Sequence, residues 1–147
     1  MAYVTLSCSL RWDANQPYGF RRTLVTHVRA NMQYVKSKGN QQIISYIDDA
    51  YDKFGRLLRE QGYSKEAETL DIKVLRKRTK ILGMEHPDTI RAMAELACTY
   101  TDLGKYTEAE KLEIQVLDAG KRILGVEHPE TIKSMGNLAC TYGRMGK

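Results

Sequence analysis

The sequence predicts an all-α fold, an alpha-alpha superhelix in which antiparallel helix pairs stack one on the next. Three observations carry this. A 42-residue unit recurs along the chain, apolar residues within each unit return at spacings of three and four, and each run opens and closes on helix-boundary residues.

The repeat is plainest where ILGMEHPDTIRAMAELACTYTDLGK, beginning at Ile81, returns as ILGVEHPETIKSMGNLACTYGRMGK from Ile123, 42 residues later. Ala67 and Ala109, Leu70 and Leu112, and Pro87 and Pro129 share that offset. A weaker copy sets Tyr51, Phe54, Gly55, Leu58 and Gly62 against Met93, Leu96, Ala97, Tyr100 and Gly104. Large positions stay large, and the small position stays small. The units run over about 43–86 and 87–128, with a truncated third at 129–147. A basic helical connector, residues 1–42, precedes them.

The first unit opens near Ile43, and its second helix is expected over Ser64 to Leu82 with Gly83 as its stop. The middle unit begins at His86-Pro87-Asp88: proline suits the first helical position and an acid complements the positive helix end. Ile90, Met93, Leu96, Ala97, Tyr100 and Leu103 then form one apolar face, and Gly104 closes the helix. The partner helix, Thr107 to Leu124, carries Ala109, Leu112, Val116 and Ile123 on one side and Ile114, Leu117 and Leu124 on another. Two stripes imply contact with two neighbours, as stacking requires. Alanines at 67, 97, 109 and 139 allow close helix crossings, for axes ~8–10 Å apart need short side chains at the contact.

No run approaches the ~20 apolar residues of a membrane span. The start has no basic flank before its mildly apolar residues, so it does not read as a secretory signal, and a cytoplasmic protein is expected. The cysteines, Cys8, Cys98 and Cys140, make neither a CxxC pair nor a disulfide framework. The net charge of +5 resides in residues 1–45, where Arg11, Arg21, Arg22, Arg29, Lys36 and Lys38 face Asp13 alone. The rest is balanced.

Candidates for chemistry have simpler structural readings. His86 and His128 lie one repeat apart, too far to share a zinc ion whose ligands sit ~2 Å from it, so they read as helix N-cap or loop residues. Cys98 and Cys140 are separated in the same way, beyond the ~7 Å limit of a disulfide. Glu66, Glu68, Glu108 and Glu110 fall in first helical turns, where carboxylates complement the dipole. No catalytic triad and no G-x-x-x-x-G-K-[ST] phosphate loop stands out. An enzyme is not expected, nor a cofactor, metal, membrane or small-molecule substrate.

The run Leu96-Ala97, Tyr100, Gly104-Lys105-Tyr106, Glu108-Ala109-Glu110 resembles a tetratricopeptide repeat, and the 42-residue period with its E-H-P-[DE]-T junction is similar to the kinesin-light-chain-like version. Such arrays occur in fungal proteins behind a nucleotide-binding NB-ARC/STAND domain. The resemblance implies a right-handed superhelix, a fragment of the sensor region of a larger signalling protein, and a scaffold function. It departs from the family where an aromatic in the second helix becomes Asp71 and Glu113. The asparagine before the L-A pair survives as Asn137 but is Glu95 in the middle unit and Lys53 in the first.

The resemblance also implies that the first helices line a concave groove taking a peptide or protein segment. Its expected residues are Arg56, Arg59, Arg91, Glu95, Lys133, Asn137 and Arg144, a mixed, rather basic set suited to a segment with acidic residues. Self-association is expected through the uncapped last helix, at Leu138 and Tyr142. The alternative function is contact with nucleic acid or an anionic surface through the basic connector, whose stripe of Leu24, Val28, Met32 and Val35 leaves the bases on the other faces.

Overall fold

The computed structural model describes residues 43–146, with side chains described from 51 onward. The connector, its apolar stripe, its basic residues and Cys8 lie outside the described residues. Five helices follow in order among those described: α1 (Ile43–Glu60), α2 (Ser64–Leu82), α3 (Pro87–Asp102), α4 (Tyr106–Ile123) and α5 (Pro129–Met145). No strand lies among them. No described helix is long and apolar enough to cross a membrane.

The boundaries obey local chemistry. Pro87 and Pro129 start α3 and α5, and each preceding histidine accepts a hydrogen bond from a first-turn amide, Asp88 to His86 Nδ1 and Glu130 to His128 Nδ1, both at 3.2 Å. This is the cap expected of both histidines. Glu66 and Glu108 sit in the first turns of α2 and α4. Gly104, at φ +74°, turns the chain left-handed, so that the Lys105 amide donates back to the Tyr100 carbonyl at 2.8 Å.

Each helix packs on the next, and α1 also touches α3 as α3 touches α5. The first helices therefore form one layer, with α2 and α4 behind it. Inside the first unit Phe54, Leu57, Leu58, Ala67 and Leu70 form a core, flanked by Tyr51 and Tyr63. Full burial of a leucine such as Leu57 contributes ~1.5–3 kcal/mol. Ala67 and Ala109 are wholly buried, Val74 and Val116 nearly so. These are the small and medium positions where the helices cross.

Both stripes of α4 differ from expectation, the outer one at Ile114 and Leu124 and the inner one at Ile123. Leu117 is buried, but Ile114, Ile123 and Leu124 are 40%, 42% and 44% exposed. Ile123 and Leu124 occupy the end of the helix, where they border an open groove instead of a packed neighbour. Leu138 and Tyr142 are half-buried. The open face of α5 is marked instead by Ile132, 55% exposed, and by Ala139, whose counterpart Ala97 is buried.

Candidate functional site

The two junctions between units are built on one register and filled differently. Between the first and second units, two arginines reach inward. Arg78, on α2, donates to Asp52 Oδ2 at 2.9 Å and to the Asp88 carbonyl at 3.1 Å, and only 6% of its side chain is exposed. Arg59, on α1, donates to Thr99 Oγ1 at 3.1 Å and to the Glu95 carbonyl at 3.2 Å, lies 3.5 Å from Asp71 Oδ2, and also pairs with the Glu95 carboxylate. Thr99 Oγ1 donates to Asp71 Oδ2 at 2.5 Å. Arg56, half-exposed, adds a second cation to Glu95 at 2.8 Å.

The electrostatics follow from this. Burial alone would raise the Glu95 carboxyl, but the hydrogen bond and charge of Arg59, backed by Arg56, hold it below the usual carboxylate range. Burial raises Asp71, and the Thr99 hydrogen bond and Arg59 charge offset this in part. Burial likewise raises Asp52 against the pull of Arg78. The Cys98 thiol is pushed up by burial, so it is not primed as a nucleophile.

Forty-two residues on, both arginines are gone. Gly120 stands in the register of Arg78, Ala94 in that of Asp52, and Thr101 in that of Arg59. Loss of the Arg78–Asp52 pair leaves a groove of about 300 Å³ between α3, α4 and α5. Ile90, Ala94, Val116, Ala119, Gly120 and Ile123 give it apolar walls, and Arg91, Glu95, Lys133 and Asn137 stand among its polar lining. Gly120 makes a close approach there: a Cβ would come 3.1 Å from Thr131 Oγ1, so Thr131 would have to give by a few tenths of an ångström.

Four of the expected groove residues, Arg91, Glu95, Lys133 and Asn137, thus converge on one cavity. Arg91 is exposed and meets Asp88 at 3.3 Å, a surface pair of small worth. Glu95 has its charge answered by Arg59 and Arg56. Arg59 is itself a cross-link between units, 10% exposed, while Arg56 stays at the surface. Arg144 lies apart, against Cys140 and Tyr106. Asp71 and Glu113, departures from the family pattern, prove to be inter-unit acceptors: Thr141 donates to Glu113 at 3.0 Å as Thr99 does to Asp71. The shared spacing of each acid to its threonine was the available signal. Cys98 and Cys140 are free thiols. Among the described residues, no three His, Cys, Asp or Glu converge as metal ligands would.

The fold is a stack of helix-turn-helix units, and the sequence matches the tetratricopeptide repeat family over residues 49–88 and 89–130, more than half of the chain. The chain belongs to that family. Solved structures refine the likeness to its kinesin-light-chain-like form. A Podosopora anserina protein with nearly identical tetratricopeptide-like repeats, named for a kinesin light chain, and a single-substitution variant of it each align with TM-score 0.75 and 26% identity. Each alignment covers 87% of this chain and 60% of the other, so this chain spans less than two thirds of their length. No curated protein matches the sequence. Repeats of this family generally mediate protein–protein interactions.

Proposed function

We propose that this chain is a scaffold that grips a partner's polypeptide segment in the groove between its second and third units. One observation carries the reading: a cavity of about 300 Å³ with apolar walls, rimmed by Arg91 and Lys133. The walls suit an apolar side chain, and the two exposed cations suit acidic residues beside it. Glu95 does not cancel them, because Arg59 and Arg56 already neutralise it, so the acids a ligand carboxylate competes with are Asp88, beside Arg91, and Glu130 in the groove lining. A cytoplasmic role in the repeat region of a larger signalling protein fits the family resemblance. No catalytic step is part of this reading.

The test is fluorescence anisotropy with labelled peptides that combine one large apolar residue with flanking Asp or Glu. Arg91→Glu with Lys133→Glu should weaken binding at least ~10-fold, since each lost charge contact is worth about 1 kcal/mol or more. Unchanged affinity in the double variant would exclude the groove.

A further inference from the structure

We propose that the junction between the second and third units also holds a docking slot for an arginine side chain of a partner polypeptide, formed by Glu113, Thr141, Thr101, Cys98 and Asn137. The inference adds a basic group to the ligand and stands without the acidic-segment reading above.

The chain supplies its own template. At the first junction one guanidinium, that of Arg59, meets the Thr99 hydroxyl, the Glu95 carbonyl, the Glu95 carboxylate and the Asp71 carboxylate. At the second junction the same register holds Thr141, the Asn137 backbone, the Asn137 side-chain amide and Glu113. The acceptors are kept, with one carboxylate replaced by an amide carbonyl. The donor is not kept: Arg59 becomes Thr101, whose hydroxyl comes no nearer than 3.4 Å to Thr141 Oγ1.

The consequence is a stranded carboxylate. Glu113 is 4% exposed. Thr141 donates to its Oε1 at 3.0 Å, whereas Oε2 is buried with no hydrogen-bond partner among the described residues. The neighbouring charge it feels is that of Glu110, another acid. A buried carboxylate oxygen without a donor is costly, and a planar cation that brings several N–H groups is the group best matched to it. The residues that an entering side chain would have to part are themselves half-buried. Thr101, Cys98 and Asn137 are each partly exposed, and Asn137 meets Cys98 by a weak 4.0 Å contact that is readily given up.

The slot and the groove share α3. From Ala94 to Thr101 the helix rises ~10 Å, about the span of three extended residues. A single segment can therefore seat a side chain in the groove and an arginine in the slot.

The experiment titrates the full chain with short acetylated and amidated peptides carrying arginine, lysine or citrulline, read by amide chemical shifts. Citrulline keeps the shape of arginine without its charge. The arginine peptide should saturate at roughly tenfold lower concentration than the citrulline peptide, with shifts centred on Cys98, Glu113 and Thr141. Glu113→Gln should abolish the difference. Thr101→Arg should fill the slot from within, raise the urea midpoint, and also abolish it. Arg91→Glu with Lys133→Glu should leave arginine binding intact, which separates this site from the groove's rim. Equal binding of arginine and citrulline, or full arginine binding by a folded Thr101→Arg variant, would overturn the proposal.

Discussion

Arg59→Ala, set against Arg56→Ala, tests what joins the first two units. Both substitutions delete one arginine that pairs with Glu95. They differ in burial: the side chains are 10% and 51% exposed. Arg59 also faces Asp71, which is 5% exposed and has no other cation among the groups that act on it. Removing one member of a buried pair costs ~3–5 kcal/mol, because the partner remains charged and desolvated. Here Glu95 retains Arg56, which places Arg59→Ala near ~3 kcal/mol. Arg56→Ala removes an exposed pair worth ~0–1 kcal/mol. Urea unfolding followed by far-ultraviolet circular dichroism reads both. With a slope of ~1.5 kcal/mol per molar, the midpoint should fall by roughly 2 M for Arg59→Ala and by less than ~0.7 M for Arg56→Ala. Replacing the pair together, Arg59→Met with Asp71→Leu, should recover most of the loss. Thr99 would not be orphaned, since its hydroxyl also reaches the Glu95 carbonyl at 3.1 Å. Equal midpoint shifts for the two alanine variants would refute the reasoning.

Two further predictions concern packing and pH. Gly55→Ala should destabilise by ~1–3 kcal/mol, because the new Cβ would lie 2.6 Å from Asp71 Oδ1, an atom on a carboxylate that Thr99 and Arg59 hold in place. Gly136→Ala, which meets nothing within 4 Å on α5, should instead stabilise by ~0.5–1 kcal/mol; thermal unfolding of both variants checks the opposite signs. Burial raises Glu113 above its ordinary 4.5, so the folded chain binds its proton more tightly than the unfolded chain does. Its contribution is therefore present at low pH and is lost as pH rises from that value through the raised one. The stability advantage of Glu113→Gln over the natural chain should grow between about pH 4 and pH 7, and a constant gap across that range would contradict the assignment.

Helix identity was legible in the sequence because it rests on local rules. The spacing of Met93, Leu96, Ala97 and Tyr100, the proline after each histidine, and the left-handed glycines act within a few residues of one another. Repetition then multiplied the signal, and the stacking of units followed from apolar stripes that one helix pair could not cover. The placement of the candidate groove was legible in part. Arg91, Glu95, Lys133 and Asn137 could be placed on one face by counting turns, but Arg59 could not be told from Arg56. Their difference is one of burial, which depends on how far α1 lies from α3.

What the sequence alone determined is the class of fold, its period and its helix ends, since each is written in spacing along the chain. What only the tertiary structure decided is how each junction is filled. Arg78 and Gly120 occupy one register, yet one closes its junction with an ion pair to Asp52 and the other leaves it open. Likewise Asp71 has an arginine and Glu113 has none among the described residues. Those outcomes turn on distances between side chains of different units, and a repeat period does not fix them, because the same backbone accepts either filling.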